Sequence, residues 1–377
     1  MNRLVSHNVL RRVLVGLSFA CLLGWQGTSA GIASVAAAPE GVQRQFAITQ
    51  FGDGFKTIRD ANHRVFLLAP RGKSIPLKFS KLPVIRIPLQ RALFTSPTQV
   101  CCLRPFADPA VWRSVVGVTT PAGEWYLNPI KQGLRSGAIT YLGDSMSPDF
   151  ERMRLLRPEV AFVYTGPSGQ FRLIKGLRTL GIPYIVDNDY LEPDLQGRLE
   201  WVKFMAAFYG KDQEASAYVR AAAKRALGAG ERVRGLPRPK VLWSMIYDGK
   251  VYVPSSDSFV ARMIQQAGGE YVFQTRQRGG NLGNINISLE EFYQLARRAD
   301  IYISPTFPAV TPNIAALIQN APVLAELAVI KQKRVWCLQP WYNQLLDRSD
   351  EVVADLAALC HPEAFPQNRL RHFVKLR

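Results

Sequence analysis

Apolar residues along this chain fall into short extended runs separated by helical stretches. Residues 55–59 and 64–68 read as a β-hairpin, with Asp60-Ala61-Asn62-His63 as its turn. Short β-branched runs at 83–89 and 115–119 predict strands. A helix is predicted over 150–156 and a continuous apolar strand over 160–164. A second helix over 173–180 is stopped by Gly181-Ile182-Pro183, and a strand follows at 184–186. Strands alternating with helices imply a parallel sheet flanked by helices.

A long helical stretch comes next. Asp194 is an N-cap, and Leu195, Leu199, Val202, Phe204, Met205, Ala206 and Phe208 give a broad apolar face. Gly210 interrupts it, Asp212 restarts it, an alanine-rich run carries it to residue 227, and Gly235-Leu236-Pro237 ends it. The alternation then resumes. Strands are predicted at 241–246, 301–304 and 334–338, and helices at 258–267, 289–297, 322–330 and 350–359. A helix that opens on glutamate and leads into an apolar strand occurs twice, at 147–163 and at 288–303. The expected organisation is an α/β first lobe over 40–192, a connecting helical backbone over 193–235, and an α/β second lobe with a basic tail over 236–377.

The N-terminus departs from this pattern. Arg11 and Arg12 precede an apolar run at 13–25, and small residues follow. That is the order of a secretory signal, with cleavage expected near Ala30 or Ala33, so the protein is expected in the periplasm. Cys21 follows Ala20 and raises lipid anchoring as an alternative, although Ser18 and Phe19 fit a lipidation motif poorly. Beyond the leader four cysteines remain, and an oxidising compartment permits disulfides. Cys337 and Cys360 are the candidate pair, while the adjacent Cys101 and Cys102 suit buried apolar thiols.

The chain has 377 residues, 47% of them hydrophobic, which is enough for two domains. Its formal charge of +18 favours an anionic partner: a chelate, lipid headgroups or nucleic acid. No recognition helix or basic-aromatic motif supports nucleic acid. Four histidines, His7, His63, His361 and His372, are too few and too scattered for a Ser-His-Asp site or a histidine-rich metal site. No Walker loop or nucleophile elbow is present, and the glycine-rich stretch at 279–283 follows no clear strand. No catalytic residue and no intrinsic cofactor are expected.

The order and spacing of several segments resemble the periplasmic binding proteins of iron-siderophore and vitamin B12 ABC importers. These segments are 147–163, Leu180-Gly181-Ile182-Pro183, Phe208-Tyr209-Gly210-Lys211, Ala267-Gly268-Gly269 and Ile287-Ser288-Leu289-Glu290-Glu291. The resemblance covers about residues 45–366. It implies two three-layer lobes with mostly parallel central sheets joined by a single long helix, which should limit hinge motion. It implies a monomer that hands its ligand to an ABC permease. Glu151 on the first lobe, and Glu290 or Glu291 on the second, match the family's docking glutamates; each is also a helix-start carboxylate that suits the helix dipole. Ligand capture is implied between the lobes, where strand-end loops line the cleft. The candidates there are Trp125, Tyr126, Tyr164, Trp243, Tyr247, Tyr252, Trp341 and Tyr342, with Arg276 and Arg278 for carboxylate or catecholate oxygens. The implied ligand is an iron chelate, haem or a corrinoid. The rival reading is a secreted metal- or tetrapyrrole-handling enzyme, such as a chelatase, on a similar scaffold.

Overall fold

The computed structural model describes residues 44–166, 169–274 and 283–377. The signal segment, Cys21, Arg276 and Arg278 lie outside the described residues. Two separate five-stranded sheets form the framework. In the first, the strands lie in the order Tyr184–Val186, Val160–Val163, Ala92–Phe94, Val115–Val118, Thr140–Tyr141, with every neighbouring pair parallel. In the second, the order is Glu270–Tyr271, Lys240–Trp243, Ile301–Ser304, Val335–Leu338, Phe373–Lys375, and only the last pair is antiparallel. Apart from Lys240 at the start of Lys240–Trp243, the inner strands are buried along their whole length, as parallel strands covered on both faces require.

A four-stranded sheet precedes the first lobe, in the order Ala47–Gln50, Lys56–Arg59, Val65–Pro70, Val84–Ile87. It contains the expected hairpin. Asp60 shapes the turn: its Oδ1 accepts from the backbone nitrogens of Asn62 (3.0 Å) and Arg64 (2.9 Å). Its Oδ2 takes the Arg64 guanidinium at 2.6 Å and the Val186 N–H at 3.1 Å, which ties this sheet to the first lobe.

The connection comprises two helices. Leu195–Ala207 starts on Asp194, whose carboxylate accepts the Gly197 N–H at 2.7 Å. Its aromatic side packs into the first lobe, with Trp201, Phe204 and Phe208 fully buried and Phe208 edge-on to Phe162 at 5.0 Å. Gly210, at φ 69°, supplies the left-handed turn that an L-residue resists. Asp212–Arg232 then spans between the lobes, 21 residues or about 31 Å. Its start is held to the leading sheet by the Lys56–Asp212 ion pair and to the first lobe by Lys211–Asp108. Its far end meets the second lobe, where Gly230 lies against Gln266 and Val233 against Gly268. Between these ends, Arg225 donates to Asp350 at 2.7 Å.

Several sequence expectations change. The run 241–246 divides at Ser244 into Lys240–Trp243 and Met245–Tyr247, which join different sheets. The helix expected over 322–330 is a 3-10 turn, Pro322–Glu326, followed by Ala328–Lys331. The basic tail contains the edge strand Phe373–Lys375, with Phe373 buried. Cys337 and Cys360 are not bonded: both are free, buried thiols, as are Cys101 and Cys102. Cys337 points into the packed sheet and Cys360 ends the helix Ser349–Cys360, and burial pushes their thiols up to about 11 and about 12. They serve as apolar packing groups. His361, buried at the exit of that helix, bonds the Gly268 carbonyl through Nε2 at 3.2 Å. Among the described residues no helix is long and apolar enough to cross a membrane, and no group of His, Cys, Asp and Glu is arranged to hold a metal ion.

Candidate functional site

The loops that follow the carboxyl ends of the strands in both lobes come together, and side-chain amides hold them in place. In the first lobe, Gln170 Oε1 accepts from Thr95 Oγ1 (2.7 Å) and from the Tyr164 N–H (3.1 Å). Asn188 Oδ1 accepts the Thr165 N–H at 2.8 Å. Tyr164 stands edge-on to Tyr190 at 6.0 Å, and the Tyr190 hydroxyl donates to the Thr165 carbonyl. Three strand-end loops are thereby fixed by side-chain hydrogen bonds within the first lobe.

The region where the lobes meet contains buried polar groups that are incompletely satisfied. Asp187 and Asp189 follow the strand Tyr184–Val186, and each keeps a buried oxygen without a hydrogen-bond partner. Burial, followed by the Asp189 charge, raises Asp187; burial raises Asp189, against a Thr98 hydrogen bond and the Arg198 charge. Arg198 stacks its guanidinium 3.9 Å over the ring of Phe259, the first residue of the second-lobe helix Phe259–Gln266. Its Nε is also unpartnered. Within the second lobe, Trp243 Nε1, Ser244 Oγ and Ser255 Oγ are also buried without partners. Unpaired buried groups are costly, and a bound molecule bearing complementary donors and acceptors would relieve that cost.

A seam closes one side of this region. Gln344 of the second lobe accepts the Tyr126 N–H at 2.9 Å through Oε1 and donates Nε2 to the Glu124 carbonyl at 2.7 Å. Arg104 donates to the Gln344 carbonyl at 2.5 Å and pairs with Asp347 at 3.4 Å. Tyr126 meets Trp341 edge-to-face at 5.7 Å, so an aromatic pair bridges the lobes.

The aromatic residues expected at the cleft separate into two groups. Tyr126, Tyr164, Trp341 and Tyr342 are at least partly exposed where the lobes meet. Tyr247 is half-buried beside Met245 and Tyr252 on the three-stranded sheet Met245–Tyr247, Lys250–Pro254, Asn284–Ile287. Trp125 is a correction: it is 2% exposed, its indole donates to the Thr120 carbonyl at 3.0 Å, and it belongs to the core. Trp243 is a second correction: it is 1% exposed, packs against Tyr342 and Phe373, and belongs to the core. Of the carboxylates expected at the lobe surfaces, Glu151 is exposed in the first turn of Phe150–Leu155, where Asp149 performs the capping. Glu290 is exposed and Glu291 half-buried at the start of Leu289–Ala296, which Ser288 caps. Asp187, Asp189, Arg198 and Gln344 were missed. For the two aspartates a signal existed, since they directly follow a predicted strand.

A family model described as periplasmic binding protein matches residues 98–341. An uncharacterized lipoprotein of Methanocaldococcus jannaschii is 32% identical over 330 residues, covering 85% of this chain and 78% of its own length. A second uncharacterized lipoprotein of that organism is 24% identical over 336 residues, covering 86% and 83%. Among solved structures, a Helicobacter pylori protein crystallised as a Ni-His complex aligns with a TM-score of 0.60 at 15% identity, covering 83% of this chain and 90% of its own. A periplasmic haem-binding protein from Pseudomonas aeruginosa aligns at 0.57 and 20% identity, covering 72% and 93%. At these identities the structural likenesses speak to the fold.

Proposed function

The chain belongs to the periplasmic binding protein family, and we propose on that premise that it is the extracytoplasmic solute-binding component of an ABC importer, taking a metal chelate between its lobes. The ligand class proposed is a chelated iron, haem or a corrinoid. The observation that carries this reading is the region where the lobes meet. There Asp187 and Asp189 each keep a buried oxygen unpaired, and Arg198, which faces Asp189, keeps its Nε unpaired while its guanidinium lies over Phe259 of the second lobe. Aromatic side chains suit flat organic ligands, and unpaired polar groups suit a ligand with peripheral carboxylates or amides. The two structural neighbours described above, one titled as haem-binding and one as a Ni-His complex, support the choice of panel. The lipoprotein relative supports an extracytoplasmic location. No turnover and no bound cofactor of its own are part of the proposal.

The test is thermal stabilisation of the purified protein by ferric siderophores, haem and cobalamin, beside bare Zn²⁺ and Mn²⁺. A ligand at a hundred times its Kd should stabilise by about 2.7 kcal/mol. Stabilisation by bare ions alone would sink the reading.

The exposed glutamates Glu151 and Glu290 are proposed to orient the loaded protein on the permease by charge complementarity. Glu290 is preferred over Glu291 because it is the more exposed of the two. Glu151→Ala with Glu290→Ala should abolish import while ligand affinity is kept. An equal loss of affinity would count against docking.

A further inference from the structure

We propose that His372 is a positioning residue for Trp341, and that its protonation releases the aromatic bridge between the lobes. This deepens the binding role proposed above and rests on it.

The Trp341 indole N–H donates to His372 Nδ1 at 3.4 Å. An indole nitrogen is a donor only, so Nδ1 is the unprotonated acceptor. On the other side of the ring, His372 Nε2 lies 3.3 Å from Glu351 Oε2, and a carboxylate accepts. One neutral tautomer, with its hydrogen on Nε2, satisfies both contacts. A second proton has only Nδ1 to occupy, and there it would face the Trp341 N–H, donor against donor.

The surroundings permit this proton. The His372 side chain is 4% exposed, and its backbone nitrogen is held by Asp355 at 2.8 Å. Glu351 favours the protonated ring. Arg371, 3.7 Å from Glu351, and Arg348, 3.8 Å from it, oppose that proton. The His372 hydrogen bond holds the Glu351 carboxyl below its usual range, with both arginines contributing. Both acids lie on the helix Ser349–Cys360, and the segment carrying Trp341 presents the indole.

Trp341 is the second-lobe half of the bridge to Tyr126. With Nδ1 unprotonated the indole keeps its acceptor and the bridge stands. With Nδ1 protonated the indole loses that acceptor and the bridge loosens. Ligand retention at the rim thereby becomes dependent on proton concentration.

The experiment follows the ¹⁵N-labelled indole resonances of the full chain, without ligand, from pH 5 to pH 8. Trp341→Phe assigns the signal. The Trp341 indole proton should move upfield on acidification in a single titration step. His372→Asn, whose side-chain oxygen can replace Nδ1 as acceptor, should keep the high-pH position and abolish the step. An indole signal that stays put across the range in the unmodified protein overturns the proposal, as does a His372→Asn variant that still titrates. If that variant fails to fold, the unmodified protein's titration decides alone. No ligand enters the measurement, so its failure is distinct from failure of the stabilisation panel.

Discussion

Phe208→Ala should lower the free energy of unfolding by about 3–5 kcal/mol, measured by urea denaturation. The ring is fully buried where the helix Leu195–Ala207 ends and the chain turns into Asp212–Arg232. It stands edge-on to Phe162 of the first-lobe sheet at 5.0 Å and meets Phe204 at 5.5 Å. Its carbonyl accepts the Leu89 N–H at 3.0 Å, a bond that the substitution leaves in place. The effect therefore isolates packing: an aromatic volume removed from a site with a sheet on one side and helix on the other, and little freedom to collapse. A loss below about 1 kcal/mol, as for a volume-conserving swap, would show that the junction repacks.

The second large effect is a pH dependence centred on Asp347. Burial raises its carboxyl from an ordinary 3.8 to about 6, against the pull of Arg104, Arg348 and a Cys101 thiol contact. Between those values the folded protein binds more protons at this site than the unfolded chain does. The site's contribution to stability is thus full below about pH 4 and is lost as pH rises through about 6. A rise of roughly two pK steps corresponds to about 3 kcal/mol. Asp347→Asn removes the titration. The stability of the variant relative to the unmodified protein should grow by about that amount between pH 4 and pH 7. A difference that stays flat would show that Arg104 compensates the buried charge.

The lobes were legible in the sequence because inner strands of parallel sheets are continuous apolar runs, and Val160–Val163 and Ile301–Ser304 stand out as such. The strut was legible from Asp194, Gly210 and Asp212. Shorter elements were not. Ala92–Phe94 lies at the centre of the first sheet, yet three residues carry no period. Phe373–Lys375 was hidden by the basic residues around it, and only its partner Val335–Leu338 explains it. At the site, the spacing of aromatics after strand ends located the rim but did not show which way a ring turns, and Trp125 turns inward. Gln344 could not be found locally, because its hydrogen bonds reach 218 and 220 residues back along the chain. Pairings at that distance become visible only once the fold has brought them together.

The Gln344 seam has a mechanical consequence. A pair of bodies attached along one line can swing like a book; attached along a second line as well, they flex only within the elasticity of both joints. Here the helix Asp212–Arg232 is one joint, and the stretch from Trp341 to Asp347 sewn to Arg104, Glu124 and Tyr126 is the other. Movement is then left to individual rings at the margin, and what freedom the region keeps is a property of rotamers more than of domain travel.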